Sequence, residues 1–117
     1  MSVYQTTDTN LLVETAKNPC IILKYHSYAC GEPCDRLVPV FEGLSELPQY
    51  SQIAFFQINA DNNPVAKNFI LHKKAPIVTI YHKGRLLESR SANTKDEMVE
   101  LLNLLLNQRN KVNTPEK

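Results

Sequence analysis

Apolar and polar positions follow two different periods along this chain, and the changes of period mark its elements. Val3-Tyr4-Gln5 reads as a short first strand. Thr7-Asp8-Thr9 supplies helix caps, and a helix is predicted to Lys17, stopped by Asn18-Pro19. Cys20-Ile21-Ile22-Leu23-Lys24-Tyr25 is β-branched and almost continuously apolar, the pattern of a strand covered on both faces. A loop is predicted from His26 to Pro33. From Cys34 the period turns helical, with Leu37, Val40, Phe41, Leu44 and Leu47 on one face. Pro39 should kink this helix and Pro48 should end it.

The second half repeats the alternation. Ile53 to Asn59 reads as another buried strand. Asn63-Pro64 is an N-cap followed by a proline at the first helical position, opening a short helix to about Leu71. Pro76 to Tyr81 is a strand, Lys83-Gly84 a hairpin turn, and Arg85 to Ser89 pairs back. Thr94-Lys95-Asp96-Glu97 is a capping box before a last helix whose apolar face holds Met98, Leu101, Leu102 and Leu105. The order βαβαβαββα predicts an α/β fold: a mixed sheet, largely parallel with an antiparallel hairpin, between helices.

A chain of 117 residues is sized for one domain. The domain is placed at residues 1–109 and a flexible tail at 110–117, which is polar, carries Pro115 and has no periodicity. Apolar residues at 43 % and charged residues at 21 % argue against disorder. A net charge of +1 gives no footprint for nucleic acid. No apolar run reaches the roughly 18 residues of a membrane span. The N-terminus lacks the basic and apolar regions of a secretory signal, so a cytoplasmic location is expected.

The chemistry sits in the cysteines. Three of them, Cys20, Cys30 and Cys34, do not make a disulfide scaffold. Cys30-Gly31-Glu32-Pro33-Cys34 lies between a buried strand and a helix N-terminus, where free amides and the helix dipole stabilise a thiolate. The thiolate is the nucleophile, and a second cysteine nearby can resolve a mixed disulfide. Cys20 opens the strand that Cys30 follows. Roughly six strand residues at about 3.3 Å each separate them by about 20 Å. That is beyond the Cα separation of about 7 Å that a disulfide bridges. Cys20 therefore reads as a small buried apolar residue.

Several segments in this order resemble the thioredoxin family over residues 3–108. Ile21-Ile22-Leu23-Lys24-Tyr25 is similar to the strand before that family's active site, and Cys30-Gly31-Glu32-Pro33-Cys34 resembles its Cys-Gly-Pro-Cys motif with one residue inserted. Pro39, Asn59-Ala60-Asp61-Asn62-Asn63-Pro64, Ala75-Pro76 and Tyr81-His82-Lys83-Gly84 match further family markers. The resemblance implies the thioredoxin fold and a cis bond before Pro76, with Ala75 lending backbone groups to a bound peptide. It implies a thiol–disulfide oxidoreductase in which Cys30 attacks a substrate disulfide and Cys34 resolves the mixed disulfide. Its partners would be disulfide-containing proteins and a thioredoxin reductase, with no cofactor held by the chain itself.

The departures from that pattern shape the site. Three residues separate the cysteines instead of two. Glu32 adds a carboxylate between them, which opposes a thiolate unless it points to solvent. Lys24 stands where the family has a buried aspartate. Three roles are open to it: a base if neutral, a stabiliser of the Cys34 thiolate if charged, or a packed stem whose ammonium reaches the surface, the reading favoured here. His26 and Ala29 replace aromatic residues, which shrinks the apolar platform around the cysteines, and Ile77 replaces a threonine. His26 is a candidate base or metal ligand, or simply a polar loop residue. Two readings therefore stand beside the oxidoreductase: a binding module of the same fold with little turnover, and a metal or iron–sulfur variant using Cys30, Cys34 and His26.

Overall fold

The computed structural model describes residues 3–73 and 76–112. Five strands form one sheet: β1 (Val3–Thr6), β2 (Cys20–His26), β3 (Ala54–Asn59), β4 (Ile77–His82) and β5 (Arg85–Ser91). Their order across the sheet is β1-β3-β2-β4-β5. β1, β3 and β2 pair in parallel, β4 pairs antiparallel to β2, and β5 antiparallel to β4. Four helices cover the sheet: α1 (Asp8–Lys17), α2 (Glu32–Ser45), α3 (Pro64–Ile70) and α4 (Lys95–Val112). The predicted βαβαβαββα order and mixed sheet are what the structure shows.

β2 occupies the centre because both its faces are apolar. Successive side chains alternate between faces. Cys20 and Ile22 join Leu37, Phe41 and Leu44 of α2 and Met98, Leu101, Leu102 and Leu105 of α4 in one core. Ile21, Leu23 and Tyr25 join Phe56, Ile58, Ala66 and the flanking Leu11 and Phe69 in the other, beneath α1 and α3. Two apolar layers thus clamp the strand that leads to the cysteines.

Turn and cap chemistry matches the sequence in two places. Lys83 and Gly84 both take positive φ, 52° and 82°, as a tight two-residue hairpin turn requires. At α4 the Glu97 carboxylate accepts from the Asn93 and Thr94 amides (2.6 and 3.2 Å), and Thr94 Oγ1 accepts from the Glu97 amide (3.2 Å). This is the expected capping box, closed in both directions.

Other boundaries shift. α2 starts at Glu32, two residues before the predicted start, because Gly31 provides the cap position and Pro33 fits a first turn whose amides need no partner. The segment 26–33 is accordingly not a plain loop: His26 ends β2, and Tyr28–Cys30 form a 3₁₀ turn. α2 runs through Pro39 and ends at Ser45, so Leu47 lies beyond it, half-buried, ahead of a 3₁₀ turn at Pro48–Tyr50. β5 reaches Ser91, and α4 continues to Val112, three residues into the stretch read as tail. Residues 113–117 of that stretch lie outside the described residues. No described helix is long and apolar enough to cross a membrane.

Candidate functional site

Cys30 and Cys34 are joined as a disulfide, with Cα atoms 5.8 Å apart. The three-residue spacer closes because of Gly31. Its φ of 67° and ψ of −137° belong to a region that residues with a Cβ rarely adopt. Glu32 and Pro33 then occupy the first helical turn, which carries Cys34 back over the sheet. The ends of the bridge differ: Cys30 is half-buried, whereas Cys34 is 1 % exposed.

The turn that presents Cys30 is fixed from two sides. Ser27 Oγ accepts from the Cys30 amide at 3.2 Å. Asp61, in the 3₁₀ turn after β3, accepts from the Tyr28 amide at 2.7 Å and is itself held by the bond from its own amide to Asn59 Oδ1 (2.9 Å). The Ser27 cap has a local signal, a serine three residues before the amide it receives. The Asp61 contact spans 33 residues and has no such signal.

A cleft of about 220 Å³ opens beside Cys30. Ala29, Ala60, Ile70 and Leu71 give it apolar walls, and Lys67 and Lys73 also line it. Lys73 is held in place: its Nζ donates to the Phe69 carbonyl at 2.8 Å and lies 4.5 Å from the Phe69 ring centroid. Tyr28 projects into solvent, 91 % exposed.

Glu32 points to solvent, where it approaches Arg36 at 4.0 Å one turn along the helix. An exposed pair at that distance adds little. Lys24 does not reach the surface, as its packed-stem reading required: it is 0 % exposed. Both faces of β2 are covered by packed layers, so the stem has no route out. Its Nζ lies 5.8 Å from the Phe41 ring and has no hydrogen-bond partner among the described residues. Burial lowers its pKa to about 8, against the opposing charges of Asp35 and Glu42. His26, at the end of β2, is half-buried, and its Nδ1 has no hydrogen-bond partner among the described residues. Among the described residues it does not gather with the cysteines into a set of three or more metal ligands. Cys20 is buried at the far end of β2, outside the disulfide.

Pro76 is buried, and its carbonyl accepts from the Ala92 amide at 2.9 Å. Ala75 and the bond that joins it to Pro76 lie outside the described residues.

A sequence model of thioredoxin matches residues 2–104. The chain belongs to the thioredoxin family. Two relatives are a monothiol glutaredoxin-4 of Saccharomyces cerevisiae, 27 % identical over 99 residues, and a thioredoxin of Ictalurus punctatus, 21 % identical over 91 residues. The matches cover 85 % and 78 % of this chain. The chain spans 40 % of the glutaredoxin's length and 84 % of the thioredoxin's. The solved thioredoxin of Malassezia sympodialis superposes with a TM-score of 0.77 at 15 % identity, over 90 % of this chain and 94 % of that one. Thioredoxin membership and a cysteine pair able to form a disulfide support a thioredoxin-like redox role.

Proposed function

We propose that this protein is a thiol–disulfide oxidoreductase acting on disulfide-containing proteins. The observation that carries the reading is the asymmetry of the cysteine pair: Cys30 stands beside an apolar cleft, and Cys34 lies buried behind it. In the reduced protein the Cys30 thiolate attacks one sulfur of a substrate disulfide, and the other leaves as a thiolate. The Cys34 thiolate then attacks Cys30 Sγ, the mixed disulfide breaks, and the substrate departs reduced. The Cys30–Cys34 bridge is the oxidised product, and two electrons have passed to the substrate.

The cleft beside Cys30 seats the apolar flank of the substrate, and Ala75, ahead of Pro76, offers it backbone hydrogen bonds. The bridge is reopened by an external dithiol; a thioredoxin reductase is the donor that family membership suggests. Such a cycle contributes to cell redox homeostasis and suits the reducing cytoplasm, where structural disulfides are rare.

The test is capture with Cys34→Ser, which leaves the attacking thiol without its resolving partner. This variant should accumulate mixed disulfides with model protein disulfides, and Cys30→Ser should form none. If Cys34→Ser captures no substrate and the parent protein reduces none, the exchange reading is wrong, and a binding module of the same fold takes its place.

A further inference from the structure

The buried cation Lys24 has no part in the exchange steps above. Lys24 leaves the middle of β2 on the face of Cys20 and Ile22, the face that α2 and α4 cover. The buried residues of α2 are Cys34, Leu37, Phe41, Leu44 and Ser45, and of these Cys34, Leu37 and Phe41 are spaced as one helical stripe. The Lys24 ammonium lies 5.8 Å from the ring of Phe41, one member of this stripe, and feels the charge of Asp35, the neighbour of Cys34 on the helix. The neighbours on β4 and α4 that share this core, Val78, Ile80, Met98 and Leu101, are apolar. Among the described residues, Asp35 and Glu42 on α2 act on Lys24 electrostatically, and His26 follows it two positions along its own strand.

An ammonium taken from water with no hydrogen bond and no buried counter-ion is costly. Asp35 is exposed and Glu42 half-buried, so solvent screens both. Cys34 is the residue of the stripe that can become an anion where it stands, and in the disulfide it carries no charge. Burial of a thiol raises its pKa and withholds the thiolate that the resolving step needs.

We propose that Lys24 is a positioning residue for the dithiol: its ammonium stabilises the buried Cys34 thiolate once the Cys30–Cys34 bond is open, and so makes the couple more oxidising than its burial alone would. The inference rests on the exchange reading above and deepens it. When a donor dithiol reduces the protein, a donor thiolate attacks Cys30 Sγ and the S–S bond breaks. Cys34 leaves with the electron pair as a thiolate beside Lys24. The second donor thiolate displaces Cys30, which takes a proton from solvent, and the donor leaves as a disulfide. In the forward direction the same Cys34 thiolate attacks Cys30 Sγ, and the released substrate thiolate takes its proton from water. With a pKa of about 8 beside the uncharged disulfide, Lys24 is already mostly protonated at neutral pH, so no proton need be found for it.

The experiment compares the parent protein with Lys24→Met and Lys24→Gln, one apolar and one neutral polar, so that at least one keeps the fold. Equilibration in graded dithiol buffers, read by alkylation and mass, should shift about tenfold toward the disulfide in either variant, close to 30 mV for this two-electron couple. Ultraviolet titration of thiolate in the reduced proteins, each minus its Cys34→Ser counterpart, should show Cys34 ionising at higher pH in the variants. A merely structural role would change melting but leave the Cys34 titration in place. An equilibrium within about twofold of the parent, with Cys34 titrating unchanged, would overturn the assignment. A parent protein that closes no reversible bridge would defeat the exchange reading, while the thiolate titration would still decide the role of Lys24.

Discussion

Cys30 and Cys34 are four positions apart and bonded, yet they meet solvent differently: Cys30 is half-buried, and Cys34 is 1 % exposed. In the reduced protein, modification by a limiting alkylating reagent should therefore fall on Cys30 first, at a rate about tenfold or more above that of Cys34. Peptide mass analysis after short exposures reads both sites. Equal rates would remove the division of labour between attacking and resolving thiols.

Gly31 bears the geometry of the lengthened motif. Beyond Gly31 itself and its chain neighbours nothing lies within 4 Å of where its Cβ would be, so the obstacle to a side chain is the backbone at φ +67°, not space. Gly31→Ala should cost about 1–3 kcal/mol of stability in the oxidised protein. It should also make the bridge easier to reduce, because that backbone shape closes the ring. Chemical denaturation and dithiol titration of the variant measure the two effects. A variant as stable as the parent would show that the spacer relaxes at no cost.

A second pair of residues ties the two helices of the other layer together. Asn63 Oδ1 accepts from the Asp8 amide at 2.9 Å, while the Asp8 carboxylate accepts from the amides of Val65 and Ala66 at 2.7 and 3.0 Å. Each residue thus caps the other's helix. Removing either side chain leaves first-turn amides without a partner, so Asp8→Ala and Asn63→Ala should each cost about 1–2 kcal/mol. The double variant should lose less than the two losses combined, because the contacts form one network. Urea midpoints of the three variants decide this, and strict additivity would mean that the caps act independently.

These relationships differ in how far the sequence foretold them. Periodicity carries the order of elements along the chain, because blocks such as Cys20–Tyr25 and Leu37–Leu44 fit one period and not the other. The Thr94–Glu97 box was legible because all its contacts are local. The Asp8–Asn63 exchange was not: it joins residues 55 apart, and Asn63 reads from its neighbours as a cap for its own helix. The start of α2 at Glu32 has a local signal in Pro33, but Gly31 and Pro33, with one residue between them, suit a loop equally well. Lys24 is a different case. Its neighbours predict a strand covered on both faces, which leaves no path to water even for a stem as long as that of lysine.

The burial of Lys24 also sets a pH dependence. Its pKa falls from 10.5 to about 8 on folding, chiefly through desolvation. Between those values the unfolded chain holds a proton that the folded protein has lost, so stability rises with pH across that window. Below about pH 8 the cost of the buried ammonium is fully present, roughly 3 kcal/mol from the size of the shift. Tyr25 and His82 act at its upper edge and below it. Tyr25, its pKa raised by burial, keeps its proton when folded and so lowers stability above pH 10. His82, lowered by burial, costs stability below its ordinary value of 6.5. Urea unfolding of the oxidised protein from neutral pH to just below pH 10 should therefore show rising stability. Lys24→Met should start higher at neutral pH and stay flat, as expected when an uncompensated buried charge gives way to an apolar side chain of similar length. Parallel slopes in the two proteins would mean that the ammonium finds water or a counter-charge in the folded state.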